Sequence, residues 1–244
     1  MRSGHDCIDH FPQFPVRLRD IAIKRRSWSC VARGLLWLLI ALWLGFVVAS
    51  DPEADSGLIP WVKERYGEAA AERVSAWRQL MSGNLNRDEW SKLVLVNDFF
   101  NRLRFSTDFK LWGKEDYWAT PVEALGKGGA DCEDYSIAKY FTLRELGVPD
   151  DKLRIMYVKA LELDQAHMVL AYYKKPGSIP VLLDNIDKAI VPADQRPDLA
   201  PVYSFNANDL WLAKRRGRGE HVGTSDRIGL WRDLRKRMEI EGEQ

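Results

Sequence analysis

Apolar residues recur at helical spacing in two successive segments. Val62, Tyr66, Ala69, Ala70, Trp77, Leu80 and Met81 mark one side of a helix over 61–82, stopped by Gly83-Asn84. Trp90, Leu93, Val94, Phe100 and Leu103 do the same over 87–104. Residues 105–118, rich in Asp, Lys, Gly and Trp, carry no such period and read as irregular. Thr120-Pro121-Val122-Glu123 is a helix start, with a capping threonine, a first-turn proline and a glutamate that closes a capping box. Gly126-Lys127-Gly128-Gly129 ends that helix early. A further helix runs from about Asp131 to Leu146, with Ile137, Ala138, Phe141 and Leu146 as its apolar stripe and Gly147 and Pro149 as its stop.

Beyond residue 150 the pattern changes to short apolar runs separated by turn residues. Residues 153–161, 166–173 and 180–185 read as strands. Lys174-Lys175-Pro176-Gly177 is the tightest turn among them and predicts an antiparallel pair. Residues 201–213 read as another strand region, Lys214–Gly219 as an exposed loop and 230–240 as a terminal helix. Helices first and an antiparallel sheet after them predict an α+β domain, with no internal repeat and no low-complexity linker.

The first 50 residues are set apart. Lys24, Arg25, Arg26 and Arg33 precede an uncharged apolar run from Gly34 to Ser50, which ends on small residues. This is the pattern of a secretory signal cleaved near Ala49 or Ser50; the same run, retained, is an anchor of marginal spanning length. The chain thus divides into 1–50, an N-terminal extension with signal or anchor, and 51–244, one exported folded domain. Lys+Arg is 36 and Asp+Glu is 35, which gives no electrostatic case for nucleic acid. Removing 1–49 takes away seven basic and three acidic residues and leaves roughly −3, an ordinary soluble value. Cys7 and Cys30 fall before or at the signal, so Cys132 stands alone in the mature domain, where it serves packing or chemistry.

The surroundings of Cys132 favour chemistry. Gly128-Gly129-Ala130-Asp131-Cys132 feeds a glycine loop into a helix whose first turn carries the thiol. Unpaired N–H groups and the helix dipole at that end favour a thiolate and an oxyanion. The mature chain has two histidines. His167 lies inside the apolar strand Ala166-His167-Met168-Val169-Leu170, where a polar ring needs a partner. Asp184 ends the next strand, and neighbouring strands would bring it to the imidazole, fixing the tautomer. Taken singly, each of these residues has a structural explanation; a Cys132–His167–Asp184 triad explains all three. His221, in Gly219-Glu220-His221-Val222-Gly223, reads as a surface histidine in a polar loop. Asp131, Glu133 and Asp134 exceed what dipole compensation needs and, beside a thiolate, oppose its formation; a bound hard cation such as calcium would remove that conflict.

The order Cys, His, Asp, with a glycine-preceded helical cysteine, resembles the transglutaminase-like branch of the papain-like fold. Asp131-Cys132-Glu133-Asp134-Tyr135, Ala166-His167-Met168-Val169-Leu170 and Leu183-Asp184-Asn185 narrow the resemblance to the bacterial transglutaminase-like cysteine proteinases. Val96-Asn97-Asp98-Phe99-Phe100-Asn101 and Asp116-Tyr117-Trp118-Ala119-Thr120-Pro121 are similar to that family too, over roughly residues 60–210 in all. The resemblance implies Cys132 as nucleophile, His167 as base and Asp184 as orienting acid. It also implies calcium at Asp131 and Glu133, with Asp134 a further candidate ligand. It implies a periplasmic protease that cuts a large cell-surface adhesin near its N-terminus at a di-alanine site, releasing it and dispersing a biofilm. The inhibitor it implies is a transmembrane cyclic-di-GMP receptor of the LapD type.

Two other classes stay open on the residues alone. A transglutaminase or other acyltransferase would use the same triad with an amine as acceptor. A non-catalytic exported binding domain would not depend on Cys132. Lys214–Arg218 as a nucleic-acid or lipid patch is weaker, because a single short basic loop is ordinarily solvated surface. Trp112, Tyr117 and Trp118 read mostly as core, with one of them able to shape the cleft or to donate an indole N–H to an oxyanion.

Overall fold

The computed structural model describes residues 57–213 and 219–242. The 1–50 extension and residues 214–218 of the basic loop lie outside the described residues. Among the described residues, no helix is long and apolar enough to cross a membrane.

The first amphipathic stretch is two helices, α1 (Leu58–Tyr66) and α2 (Glu68–Asn84), where periodicity alone predicts one. The break is Gly67, whose φ of +92° lies where L side chains rarely go. Helix α3 (Glu89–Phe100) is capped by Asp88, whose side chain accepts from the Ser91 N–H. The segment read as irregular contains a two-residue strand, β1 (Arg104–Phe105), and a short helix, α4 (Asp108–Trp112). Helix α5 (Pro121–Lys127) starts on the capping box of Thr120 and Glu123 and ends on Gly128 in the left-handed conformation. Strand β2 (Gly129–Ala130) pairs in parallel with β1, and α6 (Cys132–Glu145) follows.

The rest is one antiparallel sheet of order β6-β5-β4-β3-β7-β8-β9. Its strands are β3 (Leu153–Ala160), β4 (Gln165–Tyr172), β5 (Val181–Leu183), β6 (Val191–Pro192), β7 (Leu199–Phe205), β8 (Asp209–Leu212) and β9 (Glu220–Thr224). The single strand region expected over 201–213 is the β7–β8 hairpin, turned by Asn206, whose Oδ1 accepts from the N–H groups of Asn208 and Asp209. The polar loop expected around His221 is edge strand β9. Backbone pairing to β8 builds it, so its side-chain pattern gives no sign of it. At the opposite edge β6 has two rungs, Val181↔Pro192 and Leu182↔Val191.

Helix α6 packs on β3 and β4, with α3 and α5 beside it. Its buried face contributes Ile137, Tyr140 and Leu143 to a core shared with Leu93 and Phe100 of α3 and with Ile155 and Leu170 of the sheet. Terminal helix α7 (Gly229–Gly242) closes the domain through Trp231, which is fully buried and stacks on Phe141 at 5.3 Å. The core therefore grips α6 along its length, and its N-terminal turn is fixed relative to β4.

Candidate active site

The chain reaches Cys132 through a sequence of constrained steps. Gly128 turns the backbone out of α5, and Gly129 then passes so close to β1 that a Cβ on it would lie 3.2 Å from the Arg104 carbonyl oxygen. Asp131 is extended, makes no side-chain cap, and hands over to Cys132 as the first residue of α6. The half-buried thiol donates to Glu133 Oε2 at 3.0 Å. Burial, then the Glu133 charge, push it well above the ordinary thiol range, with a backbone bond to Met168 acting the other way. Burial, an influence not read from the sequence, is the largest, and the carboxylates act in the same direction.

His167 is buried on β4, and its Nε2 lies 2.8 Å from Asp184 Oδ1. Asp184 follows the last residue of β5, one step past the Leu170↔Leu183 rung. Its Oδ1 also accepts from the Ile186 N–H at 3.0 Å, and its Oδ2 accepts from Arg196 Nη1 at 2.9 Å. Burial works against the charged form, but the bonds from His167, Ile186 and Arg196 outweigh it and bring the carboxyl down to about 2. The carbonyl of Asp184 is held as well, by Asn101 Nδ2 at 2.9 Å and Lys139 Nζ at 3.0 Å. Lys139 is fully buried, which brings its ammonium down to about 7.

These contacts account for the Val96–Asn101 motif. Asn97 Nδ2 donates to the Lys188 carbonyl at 2.9 Å while Asn101 holds Asp184, so one asparagine of α3 and the one at its C-terminal cap lace down the segment that carries the acid. Sequence reasoning missed Arg196 and Lys139. Arg196 has no sequence signal, because a charged residue after a short turn looks like any surface arginine. Lys139 had one: it shares a helical stripe with Tyr135 and Leu143, both buried.

The acidic residues do not form a single set. Asp108, Asp131 and Asp134 bring one carboxylate oxygen each within 4.8 Å of one another, and Asp108, Asp116 and Glu133 form a second such group. Asp131, Glu133 and Asp134, the set expected from sequence, are thus divided, and the joining residue is Asp108 of α4. The Tyr117 N–H donates to Asp108 Oδ2 at 2.6 Å and the Ala119 N–H to Asp134 Oδ1 at 2.7 Å. That is the role of the Asp116–Pro121 motif. The remaining oxygens, Asp108 Oδ1, Asp134 Oδ2 and Asp131 Oδ1, are buried without a hydrogen-bond partner. Burial first, then mutual repulsion, push Asp131 up to about 10 and Asp134 well above the carboxylate range; burial brings Asp108 to about 6. Three orphaned oxygens on converging carboxylates fit a hard divalent cation, whose charge would offset that repulsion.

Two cavities meet at Cys132 and His167. One, of about 420 Å³, is acidic and aromatic, with Glu115, Asp116, Trp118, Tyr157 and Tyr203 in its wall. The other, of about 470 Å³, is rimmed by Phe105, Leu163 and Ile186, each at least half exposed. A cleft running to both sides of a thiol suits an extended chain passing over it. Trp118 is core, stacked on Phe205. Tyr117 donates to Glu123. His221 is exposed, 2.8 Å from Asp209 Oδ1 on the neighbouring strand.

Helix-borne thiol, buried histidine–aspartate pair and antiparallel sheet are the parts of a transglutaminase-like thiol fold. The sequence profile of the bacterial transglutaminase-like cysteine proteinases (BTLCP) matches residues 59–199, more than half of the chain, which belongs to that family and is by that membership a peptidase. Among solved structures the chain is similar to LapG of Legionella pneumophila. The EGTA-treated form is 45% identical, with 74% of this chain and 95% of that one covered at a TM-score of 0.66. The calcium-bound form is 45% identical, with 74% and 97% covered at a TM-score of 0.64. No match was found among curated proteins.

Proposed function

We propose that this chain is a calcium-dependent cysteine endopeptidase of the periplasm, with Cys132 as nucleophile, His167 as base and Asp184 as orienting acid. The observation that carries the reading is the buried 2.8 Å bond between His167 Nε2 and Asp184 Oδ1, beside a thiol at a helix N-terminus in the same cleft. With Nε2 committed to Asp184, Nδ1 is the nitrogen that takes the Cys132 proton. Sγ then attacks the peptide carbonyl carbon, and the backbone N–H groups at the start of α6 receive the oxyanion. His167 gives its proton to the leaving amine as the C–N bond breaks, leaving a thioester on Cys132. Water, deprotonated by His167, attacks the thioester; the acid leaves and the thiol recovers a proton. Asp184 stays ionised throughout and stabilises the imidazolium.

Asp108, Asp131 and Asp134 would hold calcium. The ion's contribution when bound is positive charge against the carboxylates that disfavour a thiolate. The calcium-bound LapG neighbour supports calcium as the ion, and the three orphaned carboxylate oxygens support these residues. The substrate in this reading is a large surface adhesin, cut near its N-terminus and released so that a biofilm disperses. Its regulator is a LapD-type transmembrane cyclic-di-GMP receptor that captures the enzyme. Both follow from the resemblance read in the sequence motifs around Cys132, His167 and Asp184, and the basic-then-apolar stretch up to Ser50 supports export.

The test incubates the chain with the N-terminal region of a large adhesin from the same organism, comparing wild type, Cys132→Ala and wild type with EGTA. Cleavage by untreated wild type alone is expected. Cleavage by Cys132→Ala would remove the nucleophile assignment, cleavage under EGTA the calcium assignment. Amine incorporation in place of cleavage would make the chain a transferase.

A further inference from the structure

The triad's acid is held by a residue outside the triad. Arg196 is almost entirely buried behind Asp184 and divides its N–H groups between two carboxylates. Nη1 donates to Asp184 Oδ2 at 2.9 Å, while Nε and Nη2 grip Asp198 Oδ1 and Oδ2 at 3.0 and 2.8 Å. Asp198 is anchored in turn, since its carbonyl accepts the Leu161 N–H at 2.8 Å, just past the end of β3. A turn closed by the Arg196 N–H on the Ala193 carbonyl and the Leu199 N–H on the Arg196 carbonyl fixes the guanidinium from the backbone side.

We propose that Arg196, braced by Asp198, is a positioning residue that reserves Asp184 Oδ1 for His167 and supplies the counter-charge that keeps Asp184 a carboxylate. The proposal rests on the triad reading above and deepens it. A buried aspartate with histidine as its sole side-chain partner has a second oxygen free to exchange places with the first or to take a proton. Either event misdirects the imidazole. The Arg196 fork occupies that second oxygen with a group that cannot release its proton at working pH. The titratable and charged groups facing Asp184 are His167 from β4, Arg196 from the turn before β7 and Lys139 from α6. Asp198 faces Arg196, and Asp98 and Lys188 lie near Lys139. Of these, only Arg196 and His167 bond the carboxylate itself; Lys139 and Asn101 bond the carbonyl. The frame is therefore split: Asn101 and Lys139 fix the backbone of Asp184, the Ile186 N–H holds Oδ1 beside His167, and Arg196 is the side chain that holds Oδ2.

The test reads the His167–Asp184 bond directly, without substrate. The full chain is labelled with ¹⁵N-histidine, and the imidazole N–H protons are observed by NMR, with His167→Gln assigning the one of interest. Wild type is expected to show a far-downfield, slowly exchanging proton on His167 Nε2. Arg196→Met is expected to shift or abolish it while the amide spectrum keeps its native dispersion. Arg196→Lys, which retains the charge, is expected to restore it toward the wild-type position. A folded Arg196→Met with an unchanged resonance overturns the proposal, as does its absence from wild type. Should Arg196→Met fail to fold, Asp198→Asn decides. Its Arg196 is present but unbraced, and exchange of the same proton with solvent is expected to quicken severalfold; equal exchange overturns the proposal. Because no cleavage is read, failure of the adhesin assay leaves this test intact. With a cleavable substrate, Arg196→Met is expected to lose at least tenfold in kcat with KM unchanged.

Discussion

The Cys132 thiol donates to the carboxylate of its own neighbour, Glu133, at 3.0 Å. A nucleophile held this way is protonated and occupied, and its negative partner resists thiolate formation. Glu133→Gln removes that charge and keeps the shape. One carboxylate in contact is worth about one pH unit, so Cys132 alkylation by iodoacetamide at neutral pH is expected to rise about tenfold. Calcium added to wild type should move the rate the same way and EGTA reverse it. An unchanged rate in Glu133→Gln would show that the contact does not govern the thiol.

Asp108 is the carboxylate that joins Asp131 and Asp134 in one group and Asp116 and Glu133 in another. Asp108→Asn should act in opposite directions with and without metal. The metal-free variant is expected to melt above wild type, because a buried like charge is gone. Stabilisation by added calcium is expected to shrink or vanish, as titration calorimetry and thermal unfolding would both show. A variant that melts lower without metal and binds calcium normally would contradict the role given to this cluster.

Acid stability should carry the signature of Asp184. Its folded carboxyl sits near 2 against an ordinary 3.8, so it contributes stability that is full above about pH 4 and lost as pH falls through about 2. The amount is on the order of 2 kcal/mol. Asp108 and Asp131 are shifted upward and act with the opposite sign, so the useful quantity is a difference. Urea unfolding of wild type and Asp184→Asn should converge between pH 4 and pH 2. A constant gap across that range would mean Asp184 has an ordinary carboxyl.

The rim formed by Phe105, Leu163 and Ile186 is exposed beside the nucleophile, where it meets whatever chain lies in the cleft. Leu163→Asp and Ile186→Asp are expected to leave stability within about 0.5 kcal/mol and to lower kcat/KM at least tenfold. Equal kcat/KM would remove this side of the cleft from substrate recognition.

Trp231 packs against Phe141 and Phe205 and ties α7 to the core. Trp231→Ala should cost about 3–5 kcal/mol, read by chemical denaturation. A loss below 1 kcal/mol would mean that α7 is a loosely held appendage.

Legibility of this domain in its sequence followed where the physics is local. The Thr120 capping box, the Gly128 stop and the apolar stripe of α6 depend on neighbours within a turn, and they read directly. His167 and Asp184 were readable because a polar residue in or at the end of an apolar strand demands an explanation. Where partners are distant the sequence was silent. Asp108 meets Asp131 through the folding of an apparently irregular segment, and Arg196 meets Asp184 across a loop. Strand β9 owes its existence to backbone pairing with β8, so its polar residues gave no period. Gly67 divides a helix whose side-chain pattern runs straight through the break.

The short β6 strand limits how this protein can meet another chain. A sheet edge offers a row of backbone donors and acceptors, and an incoming strand can extend it. Here the outermost strand spans two residues, the second of which, Pro192, has no N–H to give. A visiting polypeptide finds no ladder to climb beside the strand that leads to Asp184. Recognition on that flank has to proceed through side-chain shape and charge, which favours a protein selective for one partner surface over one that accepts any extended segment.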